Sequence, residues 1–156
     1  MKKTIATATA TAIVTAIITI ACFAGCAKKE TTKSTATAYL HQDETVSVAT
    51  VDLSDGYSVE FTRGAIYLYD KEVEENTEAV AIGMVLEQEA YDDYLKAAQG
   101  SANKKEISGG IIYESDSGLM FVRTANDSVN FCLFAENATQ AQLEKYAARF
   151  ELAPEI

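Results

Sequence analysis

The sequence predicts an α+β domain: an antiparallel sheet of about six or seven strands, with two helices over about 88–99 and 139–151 packed on one face. Three observations carry this. Apolar residues alternate with period two over most of the chain after Val46, and turn signals at hairpin spacing interrupt them. Only two segments lengthen to a helical period. The helices therefore do not alternate with the strands as βαβ crossovers require, so the sheet is antiparallel and the class α+β.

Val46 and Val48 open a strand that continues toward Val51 and Leu53, with a slip of phase near Thr50. Ser54-Asp55-Gly56 is a turn, with Gly56 free to take positive φ. In Tyr57-Ser58-Val59-Glu60-Phe61 the odd positions face a core and Ser58 and Glu60 face water. Arg63-Gly64 turns into Ala65-Ile66-Tyr67-Leu68-Tyr69, the third strand of a meander. Asp70 to Glu78 reads as an acidic loop. Ala79 to Leu86 is apolar on both parities, which suits a central strand, and Gly83 within it admits a close neighbour.

Tyr91, Tyr94, Leu95 and Ala98 then stand at i, i+3, i+4 and i+7, one stripe of a helix that ends by Gly100. Gly110–Tyr113 and Leu119–Arg123 flank Asp116-Ser117-Gly118, a hairpin signature. Val129–Phe134 is a covered strand. Thr139 and Gln142 form a capping box for a helix with Leu143, Tyr146, Ala147 and Phe150 inward and Gln142, Glu144, Lys145 and Arg149 toward water. Pro154 ends it.

Ahead of this domain, 46–156, lies different material. Lys2 and Lys3 precede an uncharged run from Thr4 to Ala24, and Phe23-Ala24-Gly25-Cys26 follows. This resembles a bacterial lipoprotein signal peptide (1–25) ending in a lipobox, with Phe23 where the pattern prefers Leu. The resemblance implies cleavage before Cys26, diacylglyceryl attachment to its sulfur, and a membrane anchor on the extracytoplasmic face. Two acyl chains at roughly 0.8 kcal/mol per buried CH₂ hold such an anchor firmly. Ala27 rather than Asp follows, which in that family carries no inner-membrane retention signal. The alternative is an uncleaved membrane helix, and either reading puts the domain outside the cytoplasm. Residues 26–45 read as the lipidated cysteine and a flexible tether, polar and without apolar periodicity. From Val46 on, the element order and closing helix are similar to PsbP-like domains of small exported lipoproteins.

Composition excludes several functions. Residues 46–156 hold 8 Lys and Arg against 20 Asp and Glu, a formal charge of −12, so nucleic acid is not a partner. About 110 residues support a single core. His41, the one histidine, falls in the expected tether, so no catalytic dyad and no zinc set is expected. The cluster Asp70, Glu72, Glu74, Glu75 and Glu78 lacks the alternation and glycine of a calcium loop and reads as a solvated charge run. Asp92-Asp93 reads as helix surface. With Cys22 cleaved away and Cys26 lipidated, Cys132 stands alone in an apolar strand, a buried and inert thiol. Asn126 and Asn137 match the glycosylation pattern by coincidence in a bacterial lipoprotein.

Tyr67 and Tyr69 remain as candidate ligand-binding residues. They share the strand face opposite Ile66 and Leu68, and an exposed tyrosine pair stacks on sugars or peptide. The sequence thus points to a lipid-anchored, non-catalytic binding or accessory module of the cell envelope, with no cofactor and no metal. The alternatives are an envelope hydrolase using acidic residues, or a purely structural, self-associating lipoprotein.

Overall fold

The computed structural model describes residues 34–42, 45–62, 64–71, 78–124 and 129–154. The signal segment, Cys26, Glu72, Glu74, Glu75 and Asn126 lie outside the described residues. The class is α+β as expected. Antiparallel strands β3 (Tyr57–Phe61), β4 (Ala65–Asp70), β5 (Ala81–Val85), β6 (Lys105–Ile107), β7 (Gly110–Ser115), β8 (Gly118–Arg123) and β9 (Phe131–Ala135) form one sheet in the order β3-β4-β5-β9-β8-β7-β6. A second sheet has the order β1-β2-β10, from β1 (Thr35–Gln42), β2 (Thr45–Asp52) and β10 (Phe150–Pro154). The helices are α1 (Gln88–Gly100) and α2 (Gln140–Ala147).

The local signals act as the sequence suggests. Gly56 takes φ 88°, and Asp55 before it takes φ 66°, together turning the chain from β2 into β3. Thr139 Oγ1 accepts from the Gln142 N–H while the Gln142 side chain accepts from the Thr139 N–H, completing the capping box. A Cβ on Gly83 would stand 2.8 Å from Phe131 Cζ, so only glycine lets that ring lie flat on β5.

Three expectations are corrected. Residues 35–42 are not tether but β1, paired antiparallel with β2 from Thr35↔Asp52 to Gln42↔Thr45. Their apolar period is faint because the inward positions are small, yet Ala38 and Leu40 are buried. The last helix ends at Ala147, not near 151: Phe150 and Leu152 belong to β10, which pairs with β2, and Pro154 closes an edge strand. A strand therefore follows the helix that was expected to close the chain.

The third correction concerns the covering of the sheet. On one face Ile66, Leu68, Ile112, Phe121, Phe131 and Leu133 pack with α2 (Leu143, Tyr146) and with the small sheet (Leu40, Val51, Leu152). The alternate residues Ile111, Tyr113, Met120, Val122 and Cys132 pack with Ala98 and the α1 stripe. The helices therefore lie on opposite faces. The physical cause is burial on both parities: Ile111-Ile112-Tyr113 and Met120-Phe121-Val122 are buried at every position, and neither side can be left to water.

Candidate functional site

Cross-strand register builds one row across six strands: Glu60, Tyr67, Ile82, Phe134, Met120 and Tyr113 stand opposite one another in turn. α1 covers the Met120–Tyr113 end and reaches Phe134. Tyr67 and Ile82 join neither hydrophobic core, although both are half-buried. Tyr69, one step along β4, also faces this side and is half-buried. The tyrosine pair expected from the sequence thus lies at the β3–β4–β5 end of the sheet face, beyond the part that α1 covers among the described residues.

Glu60 completes this surface. It projects from β3 on the same side, and Tyr69 Oη donates a hydrogen bond to its Oε2 at 3.2 Å. Partial burial first, and then the Glu60 hydrogen bond and charge, hold the Tyr69 phenol above its ordinary pKa. The phenol therefore remains a neutral donor to Glu60 at physiological pH. The result is a row of aromatic and aliphatic faces with one carboxylate beside it. Such a surface can stack on a flat apolar group and attract a positive charge next to it. Strand parity in the sequence already put Tyr67 and Tyr69 on one face and Glu60 toward water. It missed Ile82 and Phe134, because their place beside Tyr67 comes from the β4–β5–β9 pairing.

The other residues considered for chemistry are placed as follows. The Cys132 thiol is fully buried, and burial pushes its pKa up to about 12, which leaves it protonated and inert. The His41 backbone pairs with Val46 in β1. Asp92 and Asp93 are exposed on α1, and Asp92 accepts from Gln88 Nε2 at 2.8 Å. Asn137 is exposed in the turn after β9. Among the described residues, no group of three or more His, Cys, Asp or Glu could hold a metal ion. Among them, too, no helix is long and apolar enough to cross a membrane.

Arg149, expected toward water, is buried instead. Its guanidinium lies 3.6 Å from the Tyr57 ring centroid, and Nη1 donates to Asp52 O and Ser54 O at 3.1 and 2.9 Å. Nη2 meets Asp55 Oδ2 at 3.0 Å. Tyr57 in turn meets Tyr146 edge-on, with centroids 6.2 Å apart. The expectation failed because α2 stops at Ala147; two residues later Arg149 points back under the β2–β3 corner. This arrangement clamps the corner to the end of α2, and its three acceptors are all groups of the chain itself. No family model, curated protein or solved structure matches the chain.

Proposed function

We propose that this protein is a lipid-anchored extracytoplasmic binding module, non-catalytic, whose ligand surface is the open sheet face at Tyr67, Tyr69, Ile82 and Glu60. The observation that carries the reading is the Tyr67–Ile82 pair outside both cores, with Tyr69 tied to Glu60 beside it. Half-buried aromatics that complete no core, next to an oriented carboxylate, suit a glycan or peptide ligand that offers a flat face and a cationic group. The acidity of the domain adds long-range attraction for the same cationic group. The anchor follows from the Ala24-Gly25-Cys26 pattern behind an uncharged run.

Cross-linking on intact cells carrying the full chain tests the binding surface. Tyr67→Ala with Tyr69→Ala removes the captured ligand, and Glu60→Gln weakens its capture. Unchanged capture by the double variant refutes this surface. Metabolic labelling with a clickable fatty acid tests the anchor separately: Cys26→Ala abolishes labelling, and undiminished labelling refutes lipidation at Cys26.

A further inference from the structure

Four strands end the two sheets, and three of them are protected. β6 is only three residues long and carries exposed Lys105 and Glu106. β10 is five residues with exposed Glu151 and ends in Pro154. β3 is five residues with Glu60 exposed. Short edges, charges and proline are the devices by which sheets avoid pairing with foreign strands. β1 has none of them. It runs for eight residues, Thr-Ala-Thr-Ala-Tyr-Leu-His-Gln, without a charge, a proline or a break in its register with β2. Tyr39, 51% exposed, is the large hydrophobic residue that stands out into solvent among the described residues.

The register shows which backbone groups are open. Leu53 N–H donates to Ser34 O, so Ser34–Leu53 is a hydrogen-bonded pair, and such pairs alternate along an antiparallel ladder. Ala36, Ala38, Leu40 and Gln42 therefore bond toward β2. The N–H and C=O groups of Thr35, Thr37, Tyr39 and His41 point to the other side, where β1 has no neighbour among the described residues.

We infer that β1 is a dimerisation edge, at which a second copy of this chain pairs antiparallel about a twofold axis through Ala38. In that register Thr35 faces the partner's His41 and Thr37 faces the partner's Tyr39, which satisfies every outward backbone group of the four residues. Thr37 and Tyr39 then form a β-branched–aromatic pair twice over on the solvent face, a favourable cross-strand combination. An antiparallel edge is its own complement, so a single surface closes into a dimer and not a fibre.

Two features of the chain favour a second copy over a foreign strand. In sequence Lys33 stands two residues before Thr35, the first residue of β1, and Asp43-Glu44 directly follow Gln42, its last, so the strand is flanked by unlike charges that an antiparallel second copy complements. An unrelated strand would bring no such match. The chain ahead of β1 also permits it: nine residue steps separate Cys26 from Thr35, a reach of up to about 30 Å. The two copies of Thr35 lie about 20 Å apart along the paired strands, so both anchors enter one bilayer. That last point alone rests on the proposed anchor; the edge and its register do not.

The test uses the full chain in isolated membranes and a short thiol cross-linker. Thr37→Cys with Tyr39→Cys gives a dimer of twice the chain mass, while Ser58→Cys with Glu60→Cys at the β3 edge does not. Thr35→Pro, added to the first pair, removes an outward N–H that β2 does not use and sits at the first residue of the strand, where proline is tolerated; it lowers the cross-linked fraction about tenfold. Should Thr35→Pro cost the chain its protease resistance, Thr35→Lys with His41→Lys in the same double-cysteine background sets like charges opposite one another and serves the same purpose. The inference is overturned if neither change reduces the dimer, if the β3-edge pair cross-links equally, or if the product contains a different protein. Loss of fatty-acid labelling in Cys26→Ala bears on the anchor and leaves the β1 dimer of the detergent-solubilised chain standing.

Discussion

Replacing Arg149 by Ala should be among the most damaging single changes in this fold. The side chain is 8% exposed, stacks on Tyr57 at 3.6 Å and donates from Nη1 to two carbonyl oxygens at the β2–β3 corner. A hydrogen bond from a charged donor contributes about 1.5–3 kcal/mol, and a desolvated cation–π contact about 2 kcal/mol. Against these stands the cost of burying the cation, several kcal/mol in its own right. A net loss of about 3 kcal/mol follows, the scale of breaking a buried hydrogen-bond network; Arg149 Nε, which has no hydrogen-bond partner among the described residues, adds nothing to it. The Asp55 arm adds little, since that side chain is 70% exposed, and Asp55→Ala should cost no more than about 1 kcal/mol. Arg149→Lys should recover less than half of the loss, because an ammonium cannot stack on Tyr57 and reach both carbonyls together. Urea unfolding of the three variants, read at a constant m-value, measures these differences. If Arg149→Ala falls within about 1 kcal/mol of the parent chain, the corner is held by packing alone and the clamp is not a clamp.

Further outcomes follow from the same packing. Leu143, fully buried, should cost about 3–5 kcal/mol on truncation to Ala, while half-buried Phe150, 5.4 Å from Phe131, should cost about 2 kcal/mol; the reverse order in urea unfolding would refute the assignment of Phe150 to β10. A chain beginning at Ser34 should show a cooperative thermal transition without metal or disulfide, and one beginning at Val46 should lose several kcal/mol, because it strips Leu40 from the core and leaves β2 paired only with β10; equal melting midpoints would refute this. The Cys132 pKa, raised by burial to about 12, makes the folded state hold a proton that the unfolded state releases above about pH 9. Stability should therefore be unaffected by this thiol below pH 9 and fall above it, by up to about 1.4 kcal/mol per pH unit. Burial raises Tyr113 and Tyr146 as well, which steepens the fall above pH 10. Cys132→Ala should flatten the slope between pH 9 and 10, and an unaltered slope would refute the linkage.

The sequence by itself determined those elements whose signal lies within a short window. The alternation in Tyr57–Phe61, the Asp116-Ser117-Gly118 turn of the β7–β8 hairpin, the Tyr91–Ala98 stripe and the Thr139–Gln142 cap each act over a few residues, and each stands where expected. The outward pair Tyr67 and Tyr69 was legible for the same reason, since parity along one strand needs no partner. What lay beyond reach depended on neighbours distant in the chain. Thr35–Gln42 is too poor in large apolar residues to announce a strand, and becomes one because β2 offers an edge and the core a place for Leu40. Phe150 and Leu152 sit at i and i+2 after a strong helix, and pairing with β2 decided that they extend as β10. Once that strand forms, Arg149 turns inward to three acceptors nearly a hundred residues away, a partnership no local pattern encodes. The Tyr67–Ile82–Phe134 row is likewise tertiary: β9 inserts beside β5, and one face that the sequence showed only as apolar is covered by α1 at its β7–β8 end and left uncovered by α1 at its β4–β5 end.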